Sequence, residues 1–235
     1  MGKQDTYNTQ TRGLDMDVWY NVTKGVVRAY MALFMDGVRV DGQENLPPGP
    51  KIIVGNHPHV TDAFVLPFIV KEKIHFFIQE ETFTLPIIGK VLELADQIPV
   101  VIGQGEEAIA LACEKLKMGN VVGIFPEGRM SGSREVRRAG AGAAVLALKT
   151  GVPVIPVGFY VQPKFIKEIK GKFYNRETVG WWQFGGQCIV NIGEPWQIMV
   201  QEKTDRSYRY LRELTDKLMT NVQDLVDQAA KTFKY

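Results

Sequence analysis

The chain predicts an α/β fold, a mixed but largely parallel sheet flanked by helices, with an amphipathic helix at each end. Three observations carry this expectation. Short apolar runs alternate with helical patterns from Lys51 to Phe159, as a sheet covered on both faces requires. From Met16 to Phe34, the residues Trp19, Val22, Val26, Tyr30, Leu33 and Phe34 recur at helical steps. From Thr204 onward, Leu211, Leu214, Leu218, Val222, Leu225 and Ala229 do the same, with Thr204 and Asp205 as candidate caps.

The elements follow in order. LPPGP (Leu46 to Pro50) is a turn cluster that ends the lead-in. KIIVGN reads as a buried strand, DAFVLPFIV as a short helix carrying Pro67, HFFIQ as a strand and PIIGKVLELA as a helix. IPVVI is a strand, and EEAIALACEKLKMG is a helix with Gly119 at its C-terminal cap. VVGIF, AGAAVLALKTG and VPVIPVGF read as strand, helix and strand. Past Phe165 the pattern loosens into a Gly-rich aromatic stretch before a strand at QCIVNIG. No repeat or linker divides the chain. Residues 1–40 are read as an N-terminal helix suited to membrane contact, and 41–235 as one α/β domain.

Composition bounds the function. A hydrophobic share of 45% and a charged share of 23% are those of a soluble globular protein. A net charge of +2 is too small to suggest a nucleic-acid partner. Its distribution is more telling: Arg129, Arg134, Arg137, Arg138, Lys149, Lys164, Lys167, Lys170 and Lys172 cluster in one part of the chain. Such a surface suits a phosphorylated substrate or anionic lipid, although the Lys164 to Lys172 part also reads as a solvated face. Cys113 and Cys188 lie in apolar contexts and read as buried free thiols, which fits a reducing compartment. The polar N-terminus carries no signal-peptide pattern, and VVRAYMALFM is about half a bilayer span. Met1, Gly2 and Thr6 match a short myristoylation pattern. The expected location is cytoplasmic, with peripheral membrane association through Trp19, Tyr20, Lys24 and Arg28 on the first helix.

The stretch GNHPHVTDAF holds two of the chain's three histidines, His57 and His59, with Asp62 close behind. An H-x-H pair invites a zinc or iron reading, but such a site needs three or four ligands and only His75 remains, in a strand. The other reading pairs His57 with Asp62. Five residues apart on one helix they would point about 140° apart, so pairing needs a loop at His57 and a helix starting near Thr61. A carboxylate on one imidazole nitrogen fixes the tautomer and leaves the other nitrogen to act as a general base. His59 reads as a loop residue with no assigned role. G-x-S-x-G is absent, and neither cysteine has a histidine near it in sequence.

GNHPHVTD, then FPEGRMS (Phe125 to Ser131), then VPVIPVG (Val152 to Gly158), in that order, resembles the glycerolipid acyltransferase family. The resemblance runs from about Gly42 to Phe159. It implies a glycerol-3-phosphate acyltransferase-like fold and direct transfer of a fatty acyl chain from acyl-CoA or acyl carrier protein to a hydroxyl of a lysophospholipid. The acceptor is expected to be 1-acyl-glycerol-3-phosphate and the product phosphatidate. It further implies His57 as the base, Asp62 as its partner, and Glu127, Gly128 and Arg129 as acceptor-binding residues, with no metal and no cofactor besides the donor. One departure stands out. Family members commonly carry G-x-I-P-V-x-R where this chain reads DQIPVVI, so Asp96 stands at the Gly and Ile102 at the phosphate-binding Arg. Arg134, Arg137 or Arg138 would have to supply that contact; another lyso-lipid or lipid-like alcohol is the alternative acceptor, and a non-catalytic lipid-binding homologue the alternative class.

Overall fold

The computed structural model describes the backbone of residues 3–101, 103–173, 176–198 and 207–233, and the side chains of the same residues except 3–17 and 172–178. Helix α1 spans Lys3–Phe34. It begins well before Met16 because its first half is polar, and a helix without an apolar stripe gives no periodic signal. Strand β1 (Gly37–Asp41) and a 3₁₀ turn at Gln43–Asn45 lead to β2 (Lys51–Gly55). Then follow α2 (Thr61–Ile69), β3 (Ile74–Gln79), α3 (Glu80–Phe83), α4 (Ile88–Leu94) and β4 (Ile98–Val100). The helix expected at PIIGKVLELA starts at Ile88. The chain continues through α5 (Gly105–Lys117), β5 (Val121–Ile124), α6 (Gly142–Thr150) and β6 (Val154–Tyr160). It closes with β7 (Ile166–Phe173), β8 (Arg176–Gln183), β9 (Gln187–Ile192) and α7 (Tyr208–Lys231).

Seven strands form one sheet in the order β1-β9-β6-β2-β5-β3-β4. The five from β6 to β4 run parallel, β9 pairs antiparallel with β6, and β1 pairs parallel with β9. The mixed, largely parallel sheet is therefore as the sequence leads one to expect. Strand β2 is buried along its whole length because it lies mid-sheet between two covered faces. On one face Ile52, Val54, Val122 and Val154 pack with α5, α6 and α7 residues such as Ala112, Leu146 and Val222. On the other, Ile53, Ile155, Val157 and Phe159 pack with Val65, Leu66 and Ile69 of α2, and Tyr20, Tyr30 and Met31 of α1 rest against them. Helix α7 comes so close to β6 that a Cβ on Gly158 would lie 2.6 Å from the backbone nitrogen of Val226, which requires glycine there.

Two elements lie outside the expected pattern. The stretch after Phe165 forms an antiparallel ribbon, β7 on β8, pairing Ile166 with Gln183 through Phe173 with Arg176. Its strands pair with each other and not with the main sheet, so IKEIKGKF carries no core-facing alternation. Helix α7 is capped by Ser207, whose Oγ accepts from the Tyr210 N–H at 3.2 Å; Thr204 and Asp205 lie outside the described residues. Cys188 is buried, Cys113 half-buried, and both are free.

Candidate active site

Strands β2, β5 and β6 lie side by side, and the chain turns to opposite sides of the sheet after leaving β2 and β5. In open α/β sheets the crevice beyond such strand ends is where ligands bind. His57 follows β2 and Glu127 follows β5, so both lie at that rim.

The loop between β2 and α2 does what pairing requires. Helix α2 starts at Thr61, so Asp62 sits in its first turn while His57 stays in the loop, and His57 Nδ1 comes within 3.1 Å of Asp62 Oδ2. Asp62 is fully buried and the His57 side chain 19% exposed. Burial would raise the Asp62 carboxyl, but the neighbouring charge of His59 and hydrogen bonds from both histidines outweigh it and hold it below the usual carboxylate range. An ionised Asp62 places the His57 proton on Nδ1, leaving Nε2 as the free basic nitrogen. The ring of Phe125 stacks on His57 at 4.3 Å between centroids and 14° between planes, which fixes the imidazole plane.

His59, read from sequence as an unassigned loop residue, is 1% exposed and grips the same carboxylate. Its backbone N–H donates to Asp62 Oδ2 at 3.0 Å. Its Nδ1 lies 2.8 Å from Asp62 Oδ1, an ion-pair distance without hydrogen-bond alignment, and its aligned partner is the Thr61 hydroxyl at 2.6 Å. Thr61 in turn reaches Gln183 Oε1 at 3.3 Å. The spacing of Asp62 from His59, three residues, was the one local signal for this contact; Gln183 offered none.

Glu127 acts as a strut between loops. One carboxylate oxygen accepts from the His57 N–H at 2.9 Å and the other from the Arg137 N–H at 3.1 Å. Burial pushes its carboxyl upward from the ordinary value, although both backbone hydrogen bonds oppose this. The loop that follows is zipped to the histidine loop: Ser131 N–H donates to the His57 carbonyl at 2.8 Å and Gly132 N–H to that of Pro58 at 3.1 Å. Gly128 is exposed at φ 71°, and its carbonyl accepts from Gln79 at 3.0 Å. Arg129 and Arg138 are exposed with no hydrogen bond or ion pair among the described residues. Arg134 pairs with Asp227 at 3.6 Å, and the Arg137 guanidinium donates to the Ser131 carbonyl at 3.1 Å. Ile102 lies outside the described residues. Asp96 takes φ 59° and pairs with Lys115 at 2.7 Å. Among the described residues no group of three metal-ligating side chains converges.

Two cavities lie near Phe125 without being lined by it or by His57. One, of about 130 Å³, is almost wholly apolar and runs between α1, α2, β3 and α4, with Val27, Phe64, Phe68, Phe76, Ile78 and Val91 among its walls. The other, of about 250 Å³, lies on the β6 side against His59. Phe125 joins them, its ring 5.9 Å from Phe76 and 6.3 Å from Phe159, one on each cavity.

The chain is similar to several known proteins. Residues 37–160, just over half of the chain, match a family model described as Acyltransferase. The 1-acyl-sn-glycerol-3-phosphate acyltransferase of Bacillus subtilis is 32% identical over 142 residues, covering 58% of this chain and 69% of that protein. The protein of the same name from Borreliella burgdorferi is 30% identical over 152 residues, 59% of this chain and 58% of its own length. A chloroplastic counterpart from Arabidopsis thaliana is 30% identical over 125 residues, and the chain spans only 35% of it. In three dimensions, the crystal structure of the 1-acyl-sn-glycerophosphate acyltransferase PlsC from Thermotoga maritima superposes with a TM-score of 0.65 at 27% identity, covering 94% of this chain and 82% of that one.

Proposed function

The chain belongs to the acyltransferase family, and from that premise we propose that it transfers a fatty acyl chain from a thioester carrier to the free hydroxyl of 1-acyl-glycerol-3-phosphate, forming phosphatidate. The observation that carries the reading is the 3.1 Å contact between His57 Nδ1 and an ionised Asp62 on a partly exposed imidazole at the rim of the sheet. The relatives named above act on this acceptor by their names, which supports the choice of substrate.

His57 Nε2 takes the proton of the acceptor hydroxyl as its oxygen attacks the thioester carbonyl. Asp62 stabilises the resulting imidazolium. The tetrahedral intermediate collapses by breaking the carbon–sulfur bond, and the departing thiolate recovers the proton. No protein nucleophile is acylated, and the reaction needs only the two substrates and the base.

The apolar cavity beside Phe76 suits the acyl chain, its walls supplied by the FVLPFIV stretch and by α1. Arg129 and Arg138, exposed next to the Glu127 strut, suit the acceptor phosphate, because a guanidinium can give it two hydrogen bonds. This is a different cation set from one centred on residue 102. The exposed stripe Val18, Val22 and Val26 of α1 suits contact with a membrane surface, and Ile87 and Ile88 are exposed as well. No described helix is long and apolar enough to cross a membrane. Acyl-CoA and acyl carrier protein offered with a panel of acceptors test the reading: transfer to 1-acyl-glycerol-3-phosphate is expected, lost in His57→Ala. Preference for a phosphate-free alcohol would favour the lipid-alcohol alternative motivated by Ile102, and no transfer with any pair would leave a lipid-binding role.

A further inference from the structure

The loop that carries Glu127, Gly128 and Arg129 is held from two sides. Strand β5, from which it leaves, lies between β2 and β3, and all three run parallel, so their ends meet at one rim. On the β2 side Glu127 accepts from the His57 N–H at 2.9 Å. On the β3 side Gln79, the last residue of that strand, donates from Nε2 to the Gly128 carbonyl at 3.0 Å. Within the loop the Phe125 carbonyl accepts from the Gly128 N–H at 3.0 Å, and the Pro126 carbonyl from the Gly140 N–H at 2.8 Å. These backbone bonds hold the loop as far as the Gly128 N–H.

Past that point the peptide is held by Gln79. Gly128 takes φ 71°, and a Cβ there would meet nothing within 4 Å, so glycine serves the left-handed turn and not a close approach. A residue without a Cβ leaves the peptide after it free to rotate over a wide range. That peptide joins Gly128 to Arg129, and its carbonyl is the one the Gln79 amide holds. The C=O and N–H of a planar trans peptide point opposite ways, so fixing the carbonyl fixes the plane from which Arg129 departs. Arg129 is exposed with no hydrogen bond or ion pair among the described residues, so its guanidinium is aimed by its backbone. Gln79 is itself exposed, and packing of the core does not call for an amide there.

We propose that Gln79 is a positioning residue for the acceptor: its amide holds the Gly128–Arg129 peptide so that the Arg129 guanidinium is presented to the acceptor phosphate. The proposal rests on the acyl-transfer reading, and within it on Arg129 as a phosphate contact. Gln79 acts through Arg129 and touches no reacting atom. A guanidinium already aimed loses less conformational freedom when the phosphate arrives, so the effect falls on acceptor affinity and leaves proton transfer at His57 unchanged.

Steady-state kinetics of the full chain, with donor and acceptor varied in turn, tests it. Gln79→Ala and Gln79→Glu, the second of the same length but without an N–H to donate, are each expected to raise KM for 1-acyl-glycerol-3-phosphate by roughly tenfold. Their kcat and KM for acyl-CoA should stay at the wild-type values. In an Arg129→Ala background Gln79→Ala is expected to add nothing, because the side chain it aims is gone. Additive effects of the two substitutions, a loss confined to kcat, or a joint fall in kcat and in the unfolding midpoint would each overturn the assignment. Wild-type transfer that Gln79→Ala leaves unchanged at every acceptor concentration would overturn it while sparing the acyl-transfer reading. A wild type that transfers to no acceptor from either carrier would overturn both.

Discussion

His59 Nδ1 lies 2.8 Å from the Asp62 carboxylate whose other oxygen contacts His57. One buried anion thus serves two imidazoles. Its charge holds the His57 proton on Nδ1, while the His59 contacts hold the carboxylate in place and keep it ionised.

The first consequence concerns the pair itself. Asp62→Asn keeps the shape but removes the charge that sets the His57 tautomer. It should lower kcat by about 10²–10⁴-fold with little change in KM. Steady-state kinetics with both substrates varied would check this, and a change confined to KM would contradict the base assignment.

The second concerns the neighbour. In His59→Ala the leading influence that lowers the Asp62 carboxyl is gone, so burial should carry its pKa upward. Carboxyl-carbon NMR titration reads that shift directly. The loss of the buried hydrogen bond with Thr61 should cost about 1–3 kcal/mol in denaturant unfolding, with kcat reduced less than in Asp62→Asn.

A third test lies away from the site. Lys51 is 1% exposed and pairs with Glu72 at 2.9 Å. Burial opposes ionisation of Glu72, but the bond from Lys51 and backbone hydrogen bonds lower its pKa from the ordinary 4.5. A lowered acid pKa contributes stability that is full above 4.5 and disappears as pH falls through the folded value. Glu72→Gln should therefore cost about 1–3 kcal/mol at pH 7, and the gap from wild type should close in acid. A pH-independent gap would show that packing, not charge, matters there.

The fourth concerns α1. Val22 and Val26 are 47% and 67% exposed, one helical turn apart. Replacing both with Glu should reduce flotation with anionic liposomes by at least about tenfold, since each apolar side chain contributes roughly 1.5–3 kcal/mol on burial. Removing residues 1–37 should act in the same direction. Unchanged flotation would remove α1 from the membrane contact.

Local sequence determined the strands of the parallel core, because KIIVG, VVGI and VPVIPVGF are apolar runs that only a twice-covered sheet accommodates. It also determined that His57 leaves a strand and Asp62 enters a helix, since Pro58 and Thr61 mark the break between them. Tertiary structure alone decided the rest. The β7–β8 ribbon satisfies its hydrogen bonds on itself, so no core-facing period announced it. The partners of His59 include Gln183, which reaches the histidine loop through Thr61 across 122 residues of chain, a distance over which local patterning carries no signal. The cavity against His59 likewise exists only where the ends of β2 and β6, the loop after β5 and Trp181 meet in space. What the order of residues specifies is each segment's preferred shape; which buried side chains meet depends on which segments the completed sheet brings together.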